Sequence, residues 1–156
     1  PMRRFGLTEL FSESSEPPFT RFPLEEFLAL FPEGRYRLVG RTVDGRRLAG
    51  AASLSHVLPA PPEILTPADG AAVPADGFRV RWRPGPAAPG ERVVAFEVTV
   101  EREDPLRTFS VQVPAGVRGV RVPGAYLEPG VEYALEVVAL EEGGNRTLTA
   151  VAVTAR

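Results

Sequence analysis

From Phe78 to the C-terminus, apolar side chains recur at every second position in short runs broken by Pro, Gly, Asn and Asp. A period of two sends alternate side chains to opposite faces of an extended chain, so such runs predict strands with one buried and one wet face. Phe78, Val80 and Trp82 fall on one side, with Arg79, Arg81 and Arg83 on the other. Val94, Phe96, Val98 and Val100 are expected to turn inward together, opposite Glu97 and Thr99. Phe109, Val111 and Val113 form a third inward row, Val120 and Val122 a fourth, and Tyr133, Leu135, Val137 and Ala139 a fifth. The stretch 148–154 is apolar on both sides in part, which leaves its orientation open, and an opening strand is expected at 63–66.

Turn chemistry separates these rows. Pro67 to Gly70, Pro84 to Gly90, Asp104-Pro105, Pro123-Gly124 and Gly143-Gly144-Asn145 each combine residues that fix or free the backbone for a reversal. Seventeen Pro and fifteen Gly in 156 residues argue against long helices, because Pro removes a helix donor and Gly supplies turn dihedrals. The predicted class is all-β: seven short strands, the count of an immunoglobulin-like sandwich.

Several residues carry a more specific likeness. Pro61-Pro62 opens the region, Trp82 stands on the second strand, and Phe96 on the third, where Tyr is commoner. Leu127 precedes Tyr133 by six residues in Leu127-Glu-Pro-Gly-Val-Glu-Tyr133. In order and spacing, residues 60–156 resemble a fibronectin type III domain. The resemblance implies a tyrosine corner at Tyr133, with its hydroxyl bonded to nearby backbone. It also implies that the second and fifth strands share one sheet and the third and sixth the other. Outward charges then segregate: Arg79, Arg81, Arg83 and Arg121 on the first sheet, Glu97, Glu101, Glu132 and Glu136 on the second. Exposed charges are usually only solvated. Rows of Arg opposed across strands repel, however, and a partner surface relieves them. These four arginines are the candidate interaction face, and the expected partner is an acidic surface: the Glu-rich N-terminal segment folded back, a neighbouring protein domain, or the acidic face of a second copy of the chain.

Upstream, Val57-Leu-Pro-Ala-Pro-Pro62 reads as a stiff, extended joint. The expected division is an extension over 1–58 and a sandwich over 59–156. The extension carries a short helix over 23–31, opened by Pro23 and stopped by Pro32, with Glu25 and Glu26 where the helix dipole favours them. A hairpin over 34–55 turns at Asp44-Gly45, with Tyr36 and Leu38 on one face and Arg35, Arg37 and Arg41 on the other. Leu30-Phe-Pro-Glu-Gly-Arg-Tyr36 repeats the Leu-to-Tyr separation of Leu127 to Tyr133, again with Pro and Gly between. Two readings stay open: a cap on the sandwich, or the closing corner and last two strands of a truncated second one. A lone hairpin is marginal in water, so it is expected to pack on something.

Composition narrows the chemistry. Every one of the 18 basic residues is Arg, which removes Schiff-base catalysis and the P-loop, both of which need Lys. A GC-rich bacterial coding sequence is the simplest account of that bias. Cysteine is absent, so disulfides, thiolate metal sites and Cys nucleophiles are excluded. A single histidine, His56, makes no zinc site alone, and Ser53, Ser55 and Ser110 lack a nucleophile elbow. Glu9, Glu13, Glu16, Glu25 and Glu26 make an acidic stretch without the Asp spacing of a calcium loop. No apolar run reaches the roughly 20 residues a bilayer demands, and no signal peptide is visible. Pro1-Met2 reads as a cloning remnant before a start codon, with the natural protein expected to extend upstream. A net charge of −2 and basic residues not interleaved with aromatics give no pull toward nucleic acid.

The expectation is therefore a non-enzymatic interaction or spacer module of a larger bacterial protein, without cofactor or metal, favoured outside the cell or in its envelope. A carbohydrate- or ligand-binding accessory module is the alternative. It requires exposed aromatics, for which Phe5, Phe11, Phe19 and Phe22 are the available cluster. An accessory fragment of a secreted enzyme is the third reading.

Overall fold

The computed structural model describes residues 20–87 and 89–156. The chain divides into two compact units, Pro1–His56 and Val57–Arg156, and each is described by itself. The acidic Glu9, Glu13 and Glu16 and the rings of Phe5, Phe11 and Phe19 lie outside the described residues.

In the downstream unit the alternating runs become strands. β3 (Glu63–Thr66), β5 (Gly77–Arg83) and β8 (Gly119–Pro123) form one antiparallel sheet in the order β3-β5-β8. β4 (Ala71–Val73), β6 (Val93–Arg102), β7 (Arg107–Pro114), β9 (Glu132–Glu141) and β10 (Arg146–Ala155) form the other, in the order β4-β10-β9-β6-β7. The opening strand is thus split, with β3 on one sheet and β4 pairing parallel to β10 on the other. The turn at 67–70 divides them, so the unit has eight strands where alternation gave seven.

Inward rows from both sheets meet in one core. Trp82, Phe96, Val98, Val100, Val122, Tyr133, Leu135, Val137 and Val153 are all about 1% exposed or less. Burial of this kind is the main force holding two sheets together, at about 25 cal/mol per Å² of apolar surface. The rings of Trp82 and Phe96 meet at 5.7 Å. Phe109, Val111 and Val113 pack against the core from β7.

One predicted row is corrected. Val94 does not join Phe96, Val98 and Val100; it is 41% exposed. The ladder between β6 and β9 slips between Val93 and Ala95, and such a bulge reverses the facing of every residue before it. Val93 packs against the core instead.

The open orientation of the last strand resolves through its pairing. Val153 lies opposite Tyr133, Val151 opposite Leu135 and Thr149 opposite Val137, so Thr147, Thr149, Val151 and Val153 share the inner side. Two threonines on an inner row need partners for their hydroxyls. The Pro-rich segment supplies them: Thr149 Oγ1 donates to the Pro62 carbonyl at 2.5 Å and Thr147 Oγ1 to Pro59 at 2.7 Å. Asn145 Nδ2 extends the row to Val57 at 2.8 Å. Pro59 and Pro62 are fully buried. The segment read as a stiff, extended joint is laid along the sandwich through these bonds. The match is physical, because a Pro-rich strand lacks N–H groups for a ladder but still presents carbonyls that accept from side chains.

In the upstream unit, α1 (Leu24–Leu30) is followed by β1 (Gly34–Arg41) and β2 (Arg47–Leu54), an antiparallel pair in a two-stranded sheet. Glu26 N–H bonds the Pro23 carbonyl at 3.0 Å, closing the first helical turn. Asp44 accepts from the Thr42 hydroxyl and, at 2.9 Å, from Arg46 Nε. The Thr42 bond holds the Asp44 carboxyl below its ordinary range against an opposing effect of desolvation, with the Arg46 bond adding a smaller lowering. The single histidine has a structural position here. His56 N–H donates to Glu33 Oε1 at 2.6 Å, and its Nε2 lies 2.8 Å from the Phe31 carbonyl, so that nitrogen must carry the proton.

Candidate interaction face

β5 positions three arginines by the same alternation that buries Phe78, Val80 and Trp82. Arg79, Arg81 and Arg83 are exposed on the outer side of the three-stranded sheet. Arg121 is exposed on β8, directly opposite Arg79. The four candidate residues thus share one surface, and Arg118, just before β8, borders it. Arg79, Arg81, Arg83, Arg118 and Leu65 line a shallow open depression of about 590 Å³.

The arginines differ in how their charge is met. Arg83 is paired with Glu63, its partner across β3–β5, with Nε 2.6 Å from the carboxylate. Arg121 reaches the Asp76 carbonyl at 3.3 Å. Arg118 lies over the Phe96 ring, 5.5 Å from its centroid, and donates to the Ala115 and Val117 carbonyls. Arg79 and Arg81 have no ion pair or hydrogen bond of their side chains among the described residues. Arg79 and Arg81 are therefore the two members of the face whose side chains have no polar partner among the described residues.

The other sheet is acidic on its outer side. Glu97 accepts from Ser110 Oγ at 2.7 Å and pairs loosely with Arg146 at 3.6 Å, and Glu101 accepts from Thr108 Oγ1 at 2.8 Å. Glu132 is exposed and Glu136 half-buried on β9. A second depression, of about 530 Å³, is lined here by Asp69, Glu101, Glu103, Asp104 and Glu132 among others. No group of three or more His, Cys, Asp or Glu is placed to hold a metal ion among the described residues, and none of their helices is long and apolar enough to cross a membrane.

The structural markers frame the face from behind. Trp82 is 1% exposed, and its indole N–H has no hydrogen-bond partner among the described residues. The Tyr133 hydroxyl accepts from the Glu128 N–H at 2.8 Å, the corner bond implied by the Leu127 spacing, and Leu127 is buried beside it. A residue that alternation missed is Tyr126, in a 3-10 turn at Gly124–Tyr126. Its hydroxyl lies 2.7 Å from the Val100 carbonyl and 2.5 Å from that of Arg107, and its ring stacks at a tilt between Phe109 and Tyr133. Burial pushes the Tyr126 phenol above its ordinary range, with the backbone bond at Phe109 opposing. Of the aromatic cluster named for ligand binding, only Phe22 is described, and it is half-buried.

No protein-family model matches the sequence, and no curated protein does. Solved structures do match. A fourth fibronectin type III domain from human is 17% identical, with a TM-score of 0.50 over 74% of this chain and 92% of that domain. Further fibronectin type III domains recur among the matches. An engineered protein is 24% identical at TM-score 0.45, and the chain spans only 20% of its length. A superoxide reductase (neelaredoxin) from Ignicoccus hospitalis is 16% identical at TM-score 0.47, over 64% of this chain and 82% of that one. At these identities the likeness is one of fold. The downstream unit has the fibronectin type III sandwich, a fold used commonly for non-catalytic interaction or spacing.

Proposed function

We propose that the chain is a non-enzymatic interaction and spacer module of a larger bacterial protein, and that the arginine face docks an acidic protein surface. The observation that carries this reading is the pair Arg79 and Arg81, exposed on one strand without an ion partner among the described residues. Like charges held side by side on a sheet destabilise it, and an opposing carboxylate surface relieves them. Arg is suited to the task because its planar fork bonds carboxylates in pairs. The acidic outer side of the five-stranded sheet makes a second copy the first partner to test.

The experiment is a double substitution, Arg79→Ser with Arg81→Ser, followed by sedimentation velocity and thermal melting at low and high salt. Screening weakens exposed charge contacts, so the parent chain should associate at low salt and separate at high salt, and the variant should stay monomeric throughout. A monomeric parent with unaltered melting in the variant would remove the arginine face and leave only the spacer role.

A further inference from the structure

The upstream hairpin leaves an apolar sheet face uncovered among the described residues. Its pairing sets Tyr36 opposite Ala52, Leu38 opposite Gly50 and Gly40 opposite Leu48, so Tyr36, Leu38 and Leu48 share one side. Tyr36 is 38% exposed, Leu38 62% and Leu48 56%. Arg35 and Arg37 project from the other side, with no side-chain ion pair or hydrogen bond among the described residues. Among the described residues β1 pairs only with β2, which leaves its far edge a row of backbone donors and acceptors with no described strand beside it. Natural sheets rarely present such an edge unguarded.

The downstream unit shows what completes a pair of this kind. There, β9 and β10 follow a Leu-x5-Tyr corner as β1 and β2 do, and β6 runs antiparallel along the free edge of β9. β6 brings Phe96, Val98 and Val100 to the inner side and Glu97 and Glu101 to the outer. An equivalent strand on β1, in the register that sets Val100 opposite Leu135 and Glu101 opposite Ala134, would bring an apolar residue beside Leu38 and an acidic one beside Arg37.

We infer that the free edge of β1 accepts a β-strand from a partner protein, antiparallel, apolar on the Tyr36–Leu38 side and acidic on the Arg35–Arg37 side. Charge and area select this occupant over a second copy. Edge-to-edge pairing of two β1 strands sets arginine against arginine, which repels. Face-to-face stacking of two hairpins buries too little. Eight residues at about 3.4 Å each, on two strands about 4.8 Å apart, present about 260 Å² per copy, well short of the roughly 1,200 Å² in total of a stable interface. A donated strand gains ladder bonds as well as apolar contact.

The test uses the full chain and a synthetic peptide with the sequence of Val93–Arg102, the strand that fills this place in the sandwich. Amide exchange is followed residue by residue, with and without peptide. The peptide should slow exchange along β1. Leu38→Asp in the chain, or Arg at both Glu97 and Glu101 of the peptide, should each weaken binding by about tenfold or more. Leu38 is exposed, and exchange of β1 and β2 in the peptide-free Leu38→Asp chain equal to that of the parent certifies that its hairpin is formed. Three results overturn the inference: β1 exchange untouched by peptide, equal binding of the charge-reversed peptide, or β1 already protected in the chain alone. In the last case, protection that fades on dilution assigns the edge to a second copy, and protection that persists assigns it to the chain itself. The Arg79→Ser, Arg81→Ser variant should bind the peptide as the parent does, so the two proposals fail separately.

Discussion

The corner at Leu30 to Tyr36 and the corner at Leu127 to Tyr133 are written with nearly the same residues and end in opposite environments. Each has Leu six positions before Tyr, Pro between, and a glycine at positive φ, 145° at Gly34 and 83° at Gly130, where L side chains are strained. Each tyrosine hydroxyl closes the corner: Tyr36 donates to the Pro32 carbonyl at 2.8 Å, and Tyr133 accepts from the Glu128 N–H at 2.8 Å. Each is followed by an antiparallel hairpin. Yet Leu135 is completely buried and Leu38 is 62% exposed. Local sequence is enough to set corner and hairpin; burial comes only from a second sheet. Fold and stability thus part company within one chain.

The contrast can be broken most forcefully with a matched pair of truncations. Leu135→Ala removes a buried side chain and should cost about 2–5 kcal/mol, whereas Leu38→Ala should fall within about 0.5 kcal/mol. Chemical denaturation followed by Trp82 fluorescence reads the first cost, and amide exchange of β1 and β2 reads the second. Equal costs would mean that the hairpin face is covered after all.

A smaller difference separates the hydroxyls. Tyr133→Phe strands the Glu128 N–H near the core and should cost about 1–2 kcal/mol, while Tyr36→Phe acts at an exposed site and should be close to neutral. Native-state proteolysis of the two variants distinguishes a loosened sandwich from a loosened hairpin.

Alkaline titration gives the smallest effect, and it concerns Tyr126. The folded protein holds the Tyr126 phenol above its ordinary value of 10.0, chiefly by burial. A raised folded value means that the neutral form is favoured in the fold. That contribution is intact below pH 10.0 and is lost as pH climbs through the folded value. Stability should fall on the alkaline side, and Tyr126→Phe should flatten that fall. An unchanged alkaline slope in the variant would detach Tyr126 from it.

How much of this could be read in advance depended on whether a residue's role is set by its neighbours in sequence or in space. Alternation alone places Trp82, Phe96 and Tyr133 inside, and Arg79 and Arg81 outside, because a strand's facing is a local property. Val94 escaped that rule because one slipped residue in a ladder reverses facing, and nothing at Val93-Val94 announces a bulge. Tyr126 escaped because a single turn of 3-10 helix has no period to detect. The Thr147 and Thr149 hydroxyls had a faint signal, two polar residues at inward spacing, but their partners lie about ninety residues earlier at Pro59 and Pro62. Likewise the pairing of Arg83 with Glu63, which sets it apart from Arg79 and Arg81, becomes visible only when β3 is laid beside β5.

Native-state hydrogen exchange across the two hairpins tests the central contrast most directly. Amides of β9 and β10 should open only with global unfolding of the sandwich, and those of β1 and β2 should exchange through local opening, faster by orders of magnitude. Matching protection in the two hairpins of the isolated chain would contradict the account.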